Sequence, residues 1–460
     1  MPAATSWSVD GLVGLFQADL AMSDTRGIDR LSPSDMLQRI VAEAGVVSRK
    51  VRAGTYKFAP YAQVLKSKGA RKYPREIAIP TARDRLALLR LKERLHETFP
   101  EHVPSALPNN LVREALEAVQ GANPAEKVCL RLDIKDFYGS VRHEELLARL
   151  QRRLDPFEVC LARRAIRNAT VPAGSRRDAV PRTRRNLGVP QGLAVSNVLA
   201  EISLGAFDQV VTPRCDAYFR FVDDIIAIVD RGAAAGLHEF LRAELRKRGF
   251  DCYELEPRSA KGGIFGVDER IEFLGYVCNG GEISVRDSSV DRFMENIAAR
   301  ASGHQRESKR AITMIKWMTR ELADRVLIEE LNERITGTIS ESRRYGWIFY
   351  FSALTDETLL FRLDRAIREM VLRLTGVNED SLGRLKRLAR AWHEVRHRPS
   401  GTYIHNYDRL STTRQRLEFL AERGQVGPDE ALTSEQVDVR FEKYRQKQLK
   451  DLEADLAIPS

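Results

Sequence analysis

Cysteine is scarce. Five cysteines in 460 residues, at 129, 160, 215, 252 and 278, form no close pair and leave an odd count, which argues against a disulfide framework or a cysteine zinc cage and fits a reducing cytoplasm. Long apolar runs are also missing. Stretches such as Ile225 to Val229 fall far short of the ~18 residues that would span a bilayer, so no membrane association is expected. The first residues, Met-Pro-Ala-Ala-Thr-Ser-Trp7, lack a basic segment followed by an apolar core, so no signal peptide is expected there. No internal repeat or low-complexity tail is visible.

What is present is an ordinary globular composition, 43% hydrophobic and 30% charged, enough to bury a sizeable core and to exclude collagen-like or globally disordered classes. At roughly 100 to 200 residues per domain the length implies two to four domains. Lys and Arg outnumber Asp and Glu by 74 to 64, and this mild basic excess favours a polyanionic partner.

The pattern changes along the chain. Residues 1–75 are mixed and end in a basic stretch with Lys66, Lys68, Arg71, Lys72 and Arg75. A short strand at 76–79 precedes Pro80, and Thr81 with Asp84 three residues on predicts the start of a helix carrying Leu86, Leu89, Leu91 and Leu95. Val128, Leu130, Leu132 and Ile134 alternate with Cys129, Arg131 and Asp133, which reads as a strand with a carboxylate at its tip.

Helical spacing returns over 142–168. A Pro, Gly and Arg-rich connection at 171–186 follows, with Arg176, Arg177, Arg182, Arg184 and Arg185. Gly188-Val-Pro-Gln-Gly192 predicts a turn leading into a helix from Ser196 to Ala206. Tyr218 to Val229 reads as a hairpin meeting at Asp223-Asp224, with a helix at about 232–248 and strands at 252–285 behind it. Beyond about 288 strand signals stop and charged helices dominate. The expectation is an α+β core followed by an all-α C-terminal domain.

Two carboxylate sites stand out. Asp133 ends one strand and Asp223-Asp224 cap a hairpin; three acids converging at strand tips repel one another unless a divalent cation neutralises them. Magnesium suits such a site, because hard cations prefer carboxylate oxygen and magnesium keeps positions open for substrate phosphates; two ions about 4 Å apart would then clamp the attacking and leaving oxygens of a phosphoryl transfer. An Asp-Asp pair alone is more often plain turn chemistry. Order and context give it weight here.

Leu132-Asp-Ile-Lys-Asp-Phe-Tyr138, Pro190-Gln-Gly-Leu-Ala-Val-Ser-Asn-Val-Leu-Ala200, Phe221-Val-Asp-Asp224, Phe273-Leu-Gly-Tyr276 and Ile79-Pro-Thr-Ala-Arg-Asp-Arg85 follow one another as five motifs do in the reverse transcriptases, which this chain resembles. They match, in turn, the first palm motif, the second, the catalytic box with Phe for the commoner Tyr, the primer grip and the fingers entry. The resemblance implies a right-hand polymerase, with residues 1–75 as an N-terminal extension and start of the fingers, 76–285 as fingers and palm, and 286–460 as a thumb-like or helical-repeat domain.

The resemblance makes Asp133, Asp223 and Asp224 the catalytic, metal-binding carboxylates, with a backbone oxygen from Ile134 and two magnesium ions, for which manganese can substitute. Tyr138 becomes a steric gate against a ribose 2′-hydroxyl, the alternative being a core aromatic beside Phe137. Gln191 supports the incoming nucleotide, and Arg85 and Arg75 meet its triphosphate. Phe273, Leu274, Gly275 and Tyr276 form the primer grip. The fourth palm motif departs from the pattern: Pro257-Arg-Ser-Ala-Lys261 offers Arg258 or Lys261 as the acid for the pyrophosphate leaving group, and Lys261 is preferred because an arginine is a poor proton donor. The Arg176–Arg185 cluster would grip template phosphates, or else be a solvated loop.

One motif competes. His393-Glu-Val-Arg-His397 has the zinc-protease spacing, yet Pro399 follows at once, and Ser400 and Tyr403 stand where the extended pattern needs Gly and His, so a capped, Arg-rich helix end is expected instead. Ser342 to Phe351 and Tyr403 to Asp408 are similar to the helical extensions of defence-associated and abortive-infection reverse transcriptases of bacteria. The resulting expectation is a cytoplasmic RNA-directed DNA polymerase in antiphage defence, with RNA, DNA and deoxynucleoside triphosphates as partners. A noncoding RNA, synthesis without a conventional template and a homo-oligomer are among the options the resemblance carries. The alternatives are a retron or intron-like enzyme and, from another class, a non-catalytic nucleic-acid-binding scaffold.

Overall fold

The computed structural model describes residues 7–21, 23–66, 73–103, 108–175, 186–257, 259, 261–398 and 401–456. The chain divides into two compact units: residues 1–107 with 125–265, and residues 108–124 with 266–460. No described helix is long and apolar enough to cross a membrane.

The first unit holds two sheets. Strands β1 (Tyr61–Lys66) and β2 (Arg75–Ile79) pair antiparallel. The strand β3 (Lys127–Asp133) lies in the other sheet, while β4 (Thr170–Pro172) joins β1 in parallel. Then β5 (Ala217–Phe221), β6 (Asp224–Asp230) and β7 (Gly262–Gly266) complete a four-stranded sheet in the order β5-β6-β3-β7. Although β3 alternates in sequence, it is buried on both faces because it is an interior strand; even Arg131 is only 7% exposed.

Around these sheets the helices begin where capping chemistry places them. Thr81 caps the helix Ala82–Thr98, which buries Leu86, Leu91 and Leu95. The helical span expected over 142–168 is two helices, His143–Gln151 and Pro156–Arg167. Pro156 cannot donate a helix-interior hydrogen bond, and it opens the second helix behind an Asp155–Glu158 capping box. The helix from Ser196 ends at Leu204, where Gly205 takes a positive φ of 64°.

The N-terminal extension belongs to this core. Trp7, Leu12, Phe16, Val47 and Val51 share one hydrophobic cluster with Leu132 and Ile225. The Trp7 indole donates to Glu158 at 3.0 Å, and Glu158 also takes the Arg94 guanidinium at 2.9 Å, so a fully buried carboxylate is compensated.

The second unit begins, after the helix Pro108–Gly121, with an antiparallel sheet of β8 (Ile271–Phe273), β9 (Tyr276–Asn279) and β10 (Glu282–Val285) in the order β10-β9-β8. Helices Asp287–Met314, Arg320–Thr336, Glu357–Thr375, Leu388–His397, Thr413–Glu422 and Ser434–Leu456 make up most of the rest. One feature departs from the all-helical expectation: a small sheet of β11 (Thr338–Ser340), β12 (Arg343–Tyr345) and β13 (His405–Asn406). Its strands are too short to give a period-2 signal. Their tight turn puts both Glu341 and Ser342 at positive φ, and Asp408 accepts both backbone N–H groups, at 2.6 and 2.9 Å.

Trp347, Phe349 and Tyr350 face inward, with Trp347 stacked on Phe293 at 5.0 Å between centroids, while Arg343 and Arg344 are exposed. The aromatics of this segment are therefore part of the core.

Candidate active site

The carboxylates are brought together by register. In the antiparallel β3–β6 pair, Asp133 stands directly opposite Asp224, and Val222 and Asp223 form the two-residue turn between β5 and β6. The Ile134 N–H donates to the Asp223 carbonyl at 2.9 Å, closing the pair just beyond the last rung. Directly opposed residues have Cβ atoms roughly 5 Å apart, and like charges there are unfavourable. Burial, then the charges of Asp133 and Asp224, push the Asp223 carboxyl up to about 7, with Arg75 pulling the other way.

The turn itself is strained. Val222 has φ 58°, a region that a β-branched residue rarely enters, at a cost of roughly 1 to 3 kcal/mol. A residue that the sequence reading passed over holds it there. The Arg220 guanidinium donates to the Val222 carbonyl at 2.8 Å, to both oxygens of Glu201 at 3.0 and 2.7 Å, and to both oxygens of Asp208 at 2.7 Å. Glu201 lies on the helix that follows Gly188–Gly192, so this network ties the turn to the second motif. The signal was available: Arg220 among strand aromatics and Glu201 inside an apolar helix are charges that burial forces to pair. Arg131 was also missed; its guanidinium sits 3.6 Å from Asp224.

Lys261 stands 3.9 Å from Asp133, and its carbonyl accepts the Asp133 N–H at 2.9 Å. Burial opposes its charge, but a hydrogen bond with Tyr253 and the charge of Asp133 hold the ammonium pKa above the usual lysine value. Arg258, the other candidate, lies outside the described residues, as do Lys68, Arg71 and Lys72, the Arg176–Arg185 cluster, Pro399 and Ser400.

Tyr138 is 8% exposed, its hydroxyl 3.5 Å from Asn197 and its ring edge-on to Phe137. Burial and then the charge of Asp223 push its hydroxyl up to about 12, so it faces the carboxylates as a neutral phenol. The Gln191 carbonyl accepts from Ala78 at 2.7 Å, and its buried side-chain oxygen has no hydrogen-bond partner among the described residues; the same holds for the Arg75 Nε. Gly192 makes the close approach to β2 workable: its φ is 99°, and a Cβ there would lie 2.6 Å from Ile77 and 2.9 Å from the Ala78 carbonyl. Arg85 turns elsewhere, donating to Ser23 at 3.1 Å and to the Thr25 carbonyl at 3.4 Å.

Phe273 to Tyr276 belong to the second unit, where Leu274 and Gly275, at φ 47° and 89°, turn β8 into β9. Phe273 and Tyr276 are core residues there, and the Tyr350 hydroxyl donates to the Leu274 carbonyl at 2.8 Å. In the same unit His393 and His397 are exposed with ring centroids 4.7 Å apart, while Glu394 is buried and lies 3.9 Å from Arg390.

Among the described residues no three His, Cys, Asp or Glu side chains are already arranged to hold an ion. The donor set at the β3–β6 tip nonetheless fits a hard divalent cation. It offers the carboxylate oxygens of Asp133, Asp223 and Asp224, and the burial and like charge that raise Asp223 are what a cation would relieve.

Residues 65–278 match the family described as reverse transcriptase (RNA-dependent DNA polymerase). That segment is a reverse transcriptase domain, the nucleotidyltransferase domain of an RNA-dependent DNA polymerase. Protein YkfC of Escherichia coli (strain K12) is 26% identical over 296 residues, covering 55% of this chain and 75% of that protein. Among solved structures, the apo telomerase from Candida tropicalis, truncated from its C-terminal domain, has 14% identity and a TM-score of 0.34, over 50% of this chain and 55% of the telomerase chain. The Candida albicans telomerase in complex with a TWJ fragment of telomeric RNA has 10% identity and a TM-score of 0.38, over 80% and 67%.

Proposed function

We propose that the protein copies RNA into DNA by nucleotidyl transfer at Asp133, Asp223 and Asp224. The observation that carries this reading is the register that sets Asp133 against Asp224, with Asp223 in the turn and its carboxyl pushed up to about 7. The three carboxylates and the Ile134 carbonyl would hold magnesium. Bound there, two such ions supply Lewis-acid stabilisation of the attacking and leaving oxygens.

The protein's own groups do the rest. Tyr138 fills the space of a ribose 2′-hydroxyl, and the unpartnered Gln191 oxygen and Arg75 Nε take polar atoms of the incoming deoxynucleotide. Arg85 would have to leave Ser23 and Thr25 to reach a triphosphate, so Arg75 carries that role in our reading. Lys261 offers a proton to the departing pyrophosphate. In the cell the reading is cytoplasmic antiphage defence, supported by the similarity of Ser342–Phe351 and Tyr403–Asp408 to defence-associated enzymes.

The test is deoxynucleotide incorporation on an RNA template with a DNA primer. Asp223→Asn should lower the rate at least ~1,000-fold, the scale of ~4 kcal/mol of transition-state stabilisation. A variant as fast as the parent would remove the carboxylates from the chemistry. Plaque counts with cells carrying each form test the defence role.

A further inference from the structure

The second unit gathers positive charge around one cavity. Between the helix Glu357–Thr375 and the loop that leads from Gly383 into the helix Leu388–His397 lies a space of about 680 Å³, lined by Arg365, Arg368, Arg384, Lys386, Arg387 and Arg390. The single carboxylate in its lining, Asp364, is already engaged, accepting the Leu388 and Ala389 N–H groups at 2.5 and 3.1 Å.

Cations packed at this density repel, and a free loop would fray to separate them. This loop is held. Asn332, buried in the core, uses both ends of its amide on it, donating to the Arg384 carbonyl at 3.2 Å and accepting the Lys386 N–H at 2.7 Å. The Tyr403 hydroxyl accepts the Arg387 N–H at 2.7 Å, and its carbonyl takes the Lys386 ammonium at 2.6 Å. The Arg390 guanidinium lies 4.2 Å from the Tyr403 ring centroid. Burial, reinforced by the charges of Arg423 and Arg390 and opposed by Glu329 and Glu333, holds the Lys386 pKa below the usual lysine value.

Several of the cations remain available. Arg384 and Arg387 are exposed and make no ion pair or side-chain hydrogen bond among the described residues. Arg365 and Arg368 pair with Glu369 and Glu379 at 2.8 and 3.0 Å in exposed pairs that are weak and easily exchanged.

A backbone clamped so as to hold six cations around one concave space is preorganised for a dense anion. The volume suits a nucleotide-sized group, and planar guanidinium forks match phosphate oxygens. One phosphodiester would leave most of the charge unanswered, whereas a triphosphate concentrates about four negative charges within a few ångströms. We infer that this cavity binds a triphosphate group, presented either by a free nucleoside triphosphate or by the 5′ end of an RNA. The inference does not depend on the polymerase reading, since no residue of the carboxylate site takes part.

The full-length protein should be titrated calorimetrically in EDTA, which prevents metal-assisted triphosphate binding at the carboxylates. The probes are inorganic tripolyphosphate, ATP, and one short RNA carrying either a 5′-triphosphate or a 5′-hydroxyl. Tripolyphosphate should bind the parent, and Arg384→Gln/Arg387→Gln should bind it at least ~10-fold more weakly with an unchanged thermal midpoint. Should that variant misfold, Arg365→Gln/Arg368→Gln on the opposite wall should weaken binding in the same way. A ~10-fold preference for the triphosphorylated RNA over both ATP and the hydroxyl RNA assigns the site to an RNA end; ATP binding as tight or tighter assigns it to the free nucleotide. Tripolyphosphate binding that is absent in the parent, or equal in parent and variant, overturns the proposal. So does RNA binding that ignores the 5′ group yet weakens in the variant, since that would make the cavity a path for phosphodiester backbone.

Discussion

The two compact units solve the same electrostatic problem with opposite signs. At the β3–β6 tip, strand register forces acids together and a strained turn is held by Arg220. At the cavity beside Tyr403, a basic loop is held by Asn332 and Asp364. In each place the backbone is fixed by groups of the opposite sign or of no charge, so the like charges cannot move apart. Such clusters persist when their supports are stronger than the repulsion, and a guest of the opposite charge would relieve it.

Removing a support should have the largest effect on stability. Arg220→Met would leave the buried Glu201 and the partly exposed Asp208 without their cation and release the Val222 carbonyl. We expect a loss of about 3 to 5 kcal/mol in denaturant unfolding and of nucleotide incorporation with it. Stability near that of the parent would mean that the turn is held by something else.

The signs of the two environments should also appear as opposite pH slopes. The Asp223 carboxyl, raised from 3.8 to about 7, keeps its proton longer in the folded protein, so metal-free stability falls as pH rises from about 4 to 7. Asp223→Asn removes that dependence. Its advantage over the metal-free parent should grow by about 4 kcal/mol across this window, and added magnesium should stabilise the parent alone.

In the second unit His405 packs between Tyr407 and Phe419, and burial, aided by Arg423 and Lys386, lowers its pKa from 6.5 to about 3. The unfolded chain takes up the proton first as pH falls. Stability should therefore drop by about 2 to 3 kcal/mol between pH 7 and 4.5, and His405→Phe should flatten the slope. Hydrogen exchange in each unit reads the two slopes separately. Slopes of the same sign would end the comparison.

A smaller change sharpens it at the substrate. Tyr138→Ala should raise ribonucleotide relative to deoxynucleotide incorporation about 10- to 100-fold while the deoxynucleotide rate changes less. An unchanged ratio in folded protein would make Tyr138 a core residue only. The smallest effect is expected at the zinc-like motif, where Glu394→Gln should leave incorporation within about twofold. Stoichiometric zinc in untagged protein, measured by metal analysis, would reverse that reading.

By itself the sequence determined the elements whose signal is local. Alternation marked β3 and the Thr81–Asp84 cap marked the helix behind β2, since each depends on neighbours within a few residues; the hairpin was legible as well, but its turn falls at Val222-Asp223, one residue before the expected Asp223-Asp224, so that Asp224 opens β6 and pairs with Phe221 and Asp133. Only the tertiary structure decided which distant residues share a support. Trp7 docks on Glu158, Arg220 reaches Glu201 and Asp208, and Asn332 clamps Arg384 and Lys386 from more than 50 positions away. It also decided that Trp347, Phe349 and Tyr350 are core and that Arg85 spends its donors on residues 23 and 25. Burial of a charge or a ring depends on what the rest of the chain packs against it, and local periodicity carries no record of those partners.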